Sequence, residues 1–296
     1  TGSMFPRYRL WNGTGWSSPV TVPVTQTSGV PVWIRLEPRP NSNEILLVYQ
    51  DTNNDINALV WNGTAFTHEQ LLETQAFSTI AQAFDIAYEQ RSCSQFQPSC
   101  NGLVVWARSR DPFPQYRTWN DSAWSAQGQA GISATDSSAQ LDFVRLEADP
   151  VSDQMALGTS DSNSDLFVQI WNGDTWVSLG LGSPFQVSSD LSFTAYQRAF
   201  DLAWERFTGK LIALFGVKNP SGIFFRTWTS AFGWSGQIAY GGLQPTILAA
   251  VVQMRSNPNA NEILAGVLDT SMASMYSAGT GPSGSISQTS RRAVQE

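Results

Sequence analysis

Trp11-Asn-Gly-Thr-Gly-Trp16 decides the fold, because the chain writes the same stretch repeatedly. It returns as Trp61-Asn-Gly-Thr-Ala-Phe66, Trp119-Asn-Asp-Ser-Ala-Trp124 and Trp171-Asn-Gly-Asp-Thr-Trp176, and with one inserted residue as Trp228-Thr-Ser-Ala-Phe-Gly-Trp234. An alternating run such as Tyr8-Arg-Leu10 or Phe167-Val-Gln-Ile170 leads into each copy, and alternation marks a strand with one buried face. Asn-Gly after a strand marks a tight turn, since both residues tolerate positive φ. The second aromatic opens the returning strand. A hairpin with an aromatic at each shoulder cannot bury both rings alone, so copies must pack on neighbours.

Working outward, each hairpin closes a four-stranded meander. The first full unit runs through Val32-Trp-Ile-Arg-Leu-Glu37, Glu44-Ile-Leu-Leu-Val-Tyr49 and Ile56-Asn-Ala-Leu-Val60. Later units open at Ala83, Leu141, Ala199 and Ala250 and alternate in type. Trp33-Ile-Arg-Leu-Glu37 matches Phe143-Val-Arg-Leu-Glu147, whereas Ala83-Phe-Asp-Ile-Ala-Tyr-Glu89 matches Ala199-Phe-Asp-Leu-Ala-Trp-Glu205. The leading tryptophans are 50 to 58 residues apart. Meanders at this period predict an all-β fold, a β-propeller of four-stranded antiparallel blades, as one domain over residues 1–296. Six blades are expected; five, or a fragment of a longer array, are the alternatives. Phe5-Pro-Arg-Tyr-Arg9 matches Phe113-Pro-Gln-Tyr-Arg117, so the first hairpin reads as the outer half of a closing blade. Residues 285–296 read as a tail or as an inner strand beside it, and Thr1-Gly-Ser3 as a vector-derived scar or the start of a processed chain.

The net charge of −7 and only two lysines, Lys210 and Lys218, argue against a nucleic-acid partner, which needs clustered basic residues. No apolar run is long enough to cross a bilayer as a helix, so membrane insertion is not expected. Cys93 and Cys100 flank a turn-rich segment where a disulfide would staple a loop with little packing of its own, which points to an oxidising compartment. Two thiols with no nearby third ligand make a poor metal site.

Catalytic residues are hard to assemble, and the chain is read as a non-enzyme. The single histidine, His68, falls in an outer strand, and no Gly-x-Ser-x-Gly occurs. Asp85 and Asp201 recur at one position of innermost strands, and Glu37, Glu89, Glu147 and Glu205 near their ends. A feature that repeats serves the repeat, by capping turns or pairing with Arg35 and Arg145; an active site is asymmetric. No cofactor is required. Calcium is a weak candidate at Asp51–Asp55 or Asp161–Asp165, where turn propensity explains the same residues. Trp16, Trp124, Trp176 and Trp234 are the candidate ligand-binding residues, since sugar rings stack on indole faces; their periodicity also fits packing between blades. Asn12, Asn62 and Asn120 head glycosylation sequons.

The Trp-Asn-Gly-x-x-Trp hairpin resembles a degenerate Asp-box of sialidase-type propellers, with Asn172-Gly-Asp-Thr-Trp176 nearest and the leading Ser-x-Asp missing from every copy. The pattern is also similar to repeats of propeller lectins and of propeller modules in secreted bacterial surface proteins. The resemblance implies a secreted or cell-surface, non-enzymatic binding module, adhesive or lectin-like, whose partner is a glycan or an extracellular protein. The alternatives are a scaffold module of a larger extracellular assembly and a sialidase-like glycoside hydrolase.

Overall fold

The computed structural model describes residues 5–93, 100–131, 139–177, 185–192, 198–240, 248–269, 275–280 and 286–291. The alternating segments pair in sequence order, each strand antiparallel to the next. Blade one consists of Pro31–Pro38, Ile45–Asp51, Ile56–Trp61 and Phe66–Glu73. Blade two consists of Phe84–Tyr88, Gly102–Trp106, Gln115–Trp119 and Gly128–Gln129. Blade three comprises Leu141–Ala148, Met155–Asp161 and Leu166–Trp171, with Trp176–Val177 and Phe185–Ser188 sharing the outer edge. Blade four repeats that design with Phe200–Trp204, Leu211–Lys218 and Ser221–Thr229, edged by Gly233–Trp234 and Ile238–Ala239. Blade five consists of Ala249–Ser256, Ile263–Asp269, Met275–Thr280 and Ile286–Arg291.

The alternation of unit types is visible in the backbone. The inner strands of blades one, three and five each shift register at the same place, between Pro31 and Trp33, Leu141 and Phe143, and Ala249 and Val251. By that register Gln253 stands where Arg35 and Arg145 stand, and Arg255 where Glu37 and Glu147 stand. Blades two and four have shorter inner strands that pair without a shift.

The hairpin turn differs from expectation in one respect. Gly13, Gly63 and Gly173 take φ between 97° and 100°, and Asp121 takes 74° in the copy that lacks glycine. The preceding asparagines do not adopt positive φ. Asn12 instead uses its side chain, whose Oδ1 accepts hydrogen bonds from the Thr14 and Gly15 N–H groups, and Asn62, Asn120 and Asn172 repeat the cap. Asparagine is therefore selected here for its acceptor rather than its tolerance of left-handed backbone.

Each sheet has two apolar faces, and the faces alternate between neighbours. Leu46, Val48 and Ala58 of blade one pack with Phe84, Ile86 and Val104 of blade two. Leu103 and Val105 meet Val144, Leu146 and Leu157 of blade three, whose Ala156, Val168 and Ile170 meet Phe200, Leu202 and Trp204. Ala203, Ile212 and Leu214 of blade four then pack on Val252, Met254 and Ala265 of blade five. The first hairpin, Arg7–Tyr8 paired with Val20–Thr21, lies on the remaining face of blade one. Its pairing, Tyr8 with Val20, copies that of Tyr116 with Gly128 in blade two. It is thus the outer half of a sixth blade, as its sequence implies. The expected closing strand is corrected: Ile286–Arg291 pairs with Met275–Thr280 and completes blade five. Pairing across a short connection closes a far smaller loop than pairing with the chain's first residues. Residues 285 and 292–296 lie outside the described residues.

Candidate functional site

Around the axis, the inner strands interlock through charge. Asp85 of blade two forms an ion pair with Arg35 of blade one, Nε to Oδ1 at 2.9 Å, and accepts hydrogen bonds from Arg145 Nη1 and the Leu146 N–H of blade three at 3.0 and 2.8 Å. Asp201 of blade four repeats the arrangement, accepting from Arg145 Nε and the Met254 N–H of blade five, each at 2.7 Å. Arg145 is 2% exposed and also pairs with Glu147. Burial works to discharge its guanidinium, but Glu147, Asp85 and Asp201 outweigh that and hold its pKa above the ordinary value. Asp85 and Asp201 thus join blades, in the structural role their recurrence suggested. Glu37 and Glu147 pair with the neighbouring arginines. Glu89 and Glu205 cap turns, through Ser92 and Asn101 and through Thr208 and Lys210.

The calcium candidates are self-capped turns. Asp51 Oδ1 accepts from the Asn53 and Asp55 N–H groups, and Asp161 Oδ1 from those of Asn163 and Asp165. Among the described residues, no group of three or more His, Cys, Asp or Glu side chains could hold a metal. Cys93 and Cys100 form the expected disulfide, both buried against the core between blades one and two. His68, at φ +53°, lies exposed in the outer strand of blade one.

The shoulder aromatics sit where adjacent blades meet at the rim. Trp124 stacks on Trp119 and donates from Nε1 to the His68 carbonyl at 2.9 Å, while the His68 ring lies 4.8 Å from Trp119. Trp176 meets Trp171 and Tyr116 edge-on, an arrangement that Phe66, Trp61 and Tyr8 repeat. Trp234 packs on the core between blades three and four. These three tryptophans are half-buried and present only part of each indole to solvent. Trp16 differs: it is 65% exposed, with Trp11 beside it 54% exposed.

The structure adds residues that the sequence reading passed over. Arg117 lies two residues before Trp119, and strand alternation puts it on the same face as Trp119 and Trp124, toward blade one. It donates from Nη1 to the Ser125 carbonyl at 2.7 Å, and its buried Nε has no partner among the described residues. Arg226 precedes Trp228 in the same way on the face toward blade three, and Arg9 precedes Trp11. Burial lowers the Arg226 pKa. The signal was legible as Arg-x-Trp in alternate hairpins. The rim contact between blades one and two thus brings a half-exposed indole and the exposed His68 ring onto the face that carries the Arg117 guanidinium, groups that can stack on the C–H face of a sugar ring and donate to its hydroxyls.

No protein-family model and no curated protein matches the chain. Solved structures do share its fold. The BP39L lectin from Burkholderia pseudomallei aligns with a TM-score of 0.65 at 13% identity, over 95% of this chain and 76% of that one. The fungal lectin of Aleuria aurantia, described as a six-bladed β-propeller with a novel fucose recognition mode, aligns at 0.54 and 13% identity over 86% of this chain and 77% of its own. The SapL1 lectin, solved with α-methyl fucoside, aligns at 0.53 and 13% identity over 98% and 89%. The chain has the β-propeller fold of these lectins.

Proposed function

We propose that the chain is a non-enzymatic glycan-binding module, secreted or displayed on a surface, that takes a terminal monosaccharide in the rim grooves between blades. The observation that carries this reading is the recurrence of arginine and paired tryptophans on one face of alternate outer hairpins, in a fold shared with proteins named as lectins. Fucose is the first sugar to test, since two of those lectins are described with it. The buried disulfide supports an oxidising destination. The hydrolase alternative loses its acids, because Asp85 and Asp201 are buried and engaged by Arg145.

A glycan array, run with and without calcium, tests the reading directly. Saturable binding of one sugar class is expected, and Arg117→Ala with Trp124→Ala should weaken it at least ~10-fold with an unchanged far-UV spectrum. A blank array across fucosylated and other terminal sugars would remove the glycan from the account.

A further inference from the structure

The rim contact between blades one and two holds a cation without an acid. Val104, opposite Arg117 in the register of blade two, packs in the core between the two blades, so Arg117 faces blade one. Among the described residues its one hydrogen bond runs from Nη1 to the Ser125 carbonyl. That bond anchors the guanidinium and leaves its Nε–Nη2 edge unpartnered, with Nε buried. The acids on the surrounding segments are committed elsewhere. Glu69 accepts from Thr25, Gln26 and Asn57. Glu73 accepts from Trp106 and Arg108, and Asp121 in the hairpin turn pairs with Arg39. On the facing strand of blade one, the His68 ring bonds through Nδ1 to Thr67, which leaves Nε2 free. Gln70 precedes the core residue Leu72 by two positions and so shares its face toward blade two; its Nε2 donates to the Leu71 carbonyl, which leaves Oε1 free.

We propose that this contact takes an acidic monosaccharide, a pyranose whose carboxylate sits on the Nε–Nη2 edge of Arg117. Its C–H face lies on the Trp124 indole, and Gln70 Oε1 and His68 Nε2 meet its hydroxyls. The inference rests on the rim-binding reading and names the class of sugar. A neutral hydroxyl donates as well as accepts, so a site built for hydroxyls alone pairs its donors with acceptors. Here the guanidinium has no carboxylate beside it among the described residues, and a ligand carboxylate, which only accepts, supplies the missing partner. The forked edge of an arginine matches it with two parallel bonds. In a chain of net charge −7 such a cation is a local feature rather than part of a basic surface. The contact between blades two and three differs. Its residue two before the hairpin tryptophan is Gln169, opposite Leu157 of the core between those blades, and carries no charge.

Calorimetry on the intact chain tests this with methyl β-D-glucuronide and the methyl α-glycoside of N-acetylneuraminic acid, each against its own methyl ester, and with α-methyl fucoside. At least one acid should bind saturably and at least ~10-fold more tightly than its ester, which keeps the ring and removes the charge. Arg117→Lys keeps the cation but removes the fork, and should shrink that preference to within ~3-fold with an unchanged far-UV spectrum. The comparison of acid with ester needs no variant, so it stands even if the substitution unfolds the chain. Equal binding of acid and ester, binding of the fucoside alone, or a preference that survives Arg117→Lys overturns the acidic-sugar inference and leaves the rim-binding reading in place. If none of these sugars binds but the glycan array finds another, again only the acidic-sugar inference falls. A blank array removes both.

Discussion

Blades one and three begin with nearly the same strand, Trp33-Ile-Arg-Leu-Glu37 and Phe143-Val-Arg-Leu-Glu147, and put it in different surroundings. In blade three the strand is buried along six successive residues, with a blade on either side. In blade one, burial of this inner strand alternates residue by residue, because blade two covers one of its faces and no described blade covers the other. Arg145 is 2% exposed between two carboxylates; Arg35 is 27% exposed beside one from a neighbouring blade. Identical residues thus carry different energetic weight, and that weight is set by the neighbouring blade. The repeat supplies the parts, and the ring decides which become structural.

That contrast is broken or sharpened by paired substitutions. The largest difference is expected for the arginines. Arg145→Met leaves Asp85 and Asp201 buried without their shared cation, and should cost about 3–5 kcal/mol by denaturant unfolding. Arg35→Met, at a 27%-exposed position, should cost about 1 kcal/mol or less. Equal losses would mean that the acids on the two sides of Arg145 do not act together.

The neighbouring leucines come next. Leu146→Ala should cost about 2–4 kcal/mol through the cavity it leaves, whereas Leu36→Ala should fall within ~1 kcal/mol. If Leu36→Ala proves as damaging, the face it occupies is covered in solution.

Titration separates the two blades more gently. Burial, reinforced by Asp161, pushes the Asp142 carboxyl of blade three up to about 7, and blade one has the apolar Val32 at the same register. A carboxyl raised on folding contributes stability that is complete below its unfolded value near 4 and is lost as pH climbs to about 7. Melting temperature should therefore fall across that window, and Asp142→Asn should flatten the fall, stabilising at pH 8 and changing little at pH 4. The smallest effect is expected from Glu37, also raised to about 7 by burial against the pull of Arg35. Glu37→Gln should move the slope in the same direction by less, because its side chain keeps more contact with water than Asp142 does.

Much of the fold was legible because its signals are local. The shoulder aromatics, the alternation and the turn residues all lie within one hairpin, and they announced the blades. Even the pairing of acids with Arg35 and Arg145 followed from their recurrence. What the sequence could not supply was which neighbour each face meets. Trp16 and Trp124 occupy the same place in the motif, yet one is open and the other half-buried, because Trp124 packs against blade one whereas Trp16 meets no described blade on its far side. Arg117 was overlooked for a similar reason: strand alternation assigns it a face, but only the packed blades bring His68 and Trp124 to that face. The closing strand was misread because residues 286–291 find a partner in their own hairpin before any distant one.

The asparagine caps have a consequence for how the molecule assembles. Each holds its turn with bonds that span two or three residues, so the first hairpin and blades one to three can nucleate their outer turns without waiting for the others. The Asp85–Arg145 and Arg145–Asp201 bridges join residues 60 and 56 positions apart and can form only after whole blades exist. Local turns therefore set the order of events, and the central charges act late, as latches that fix finished blades side by side.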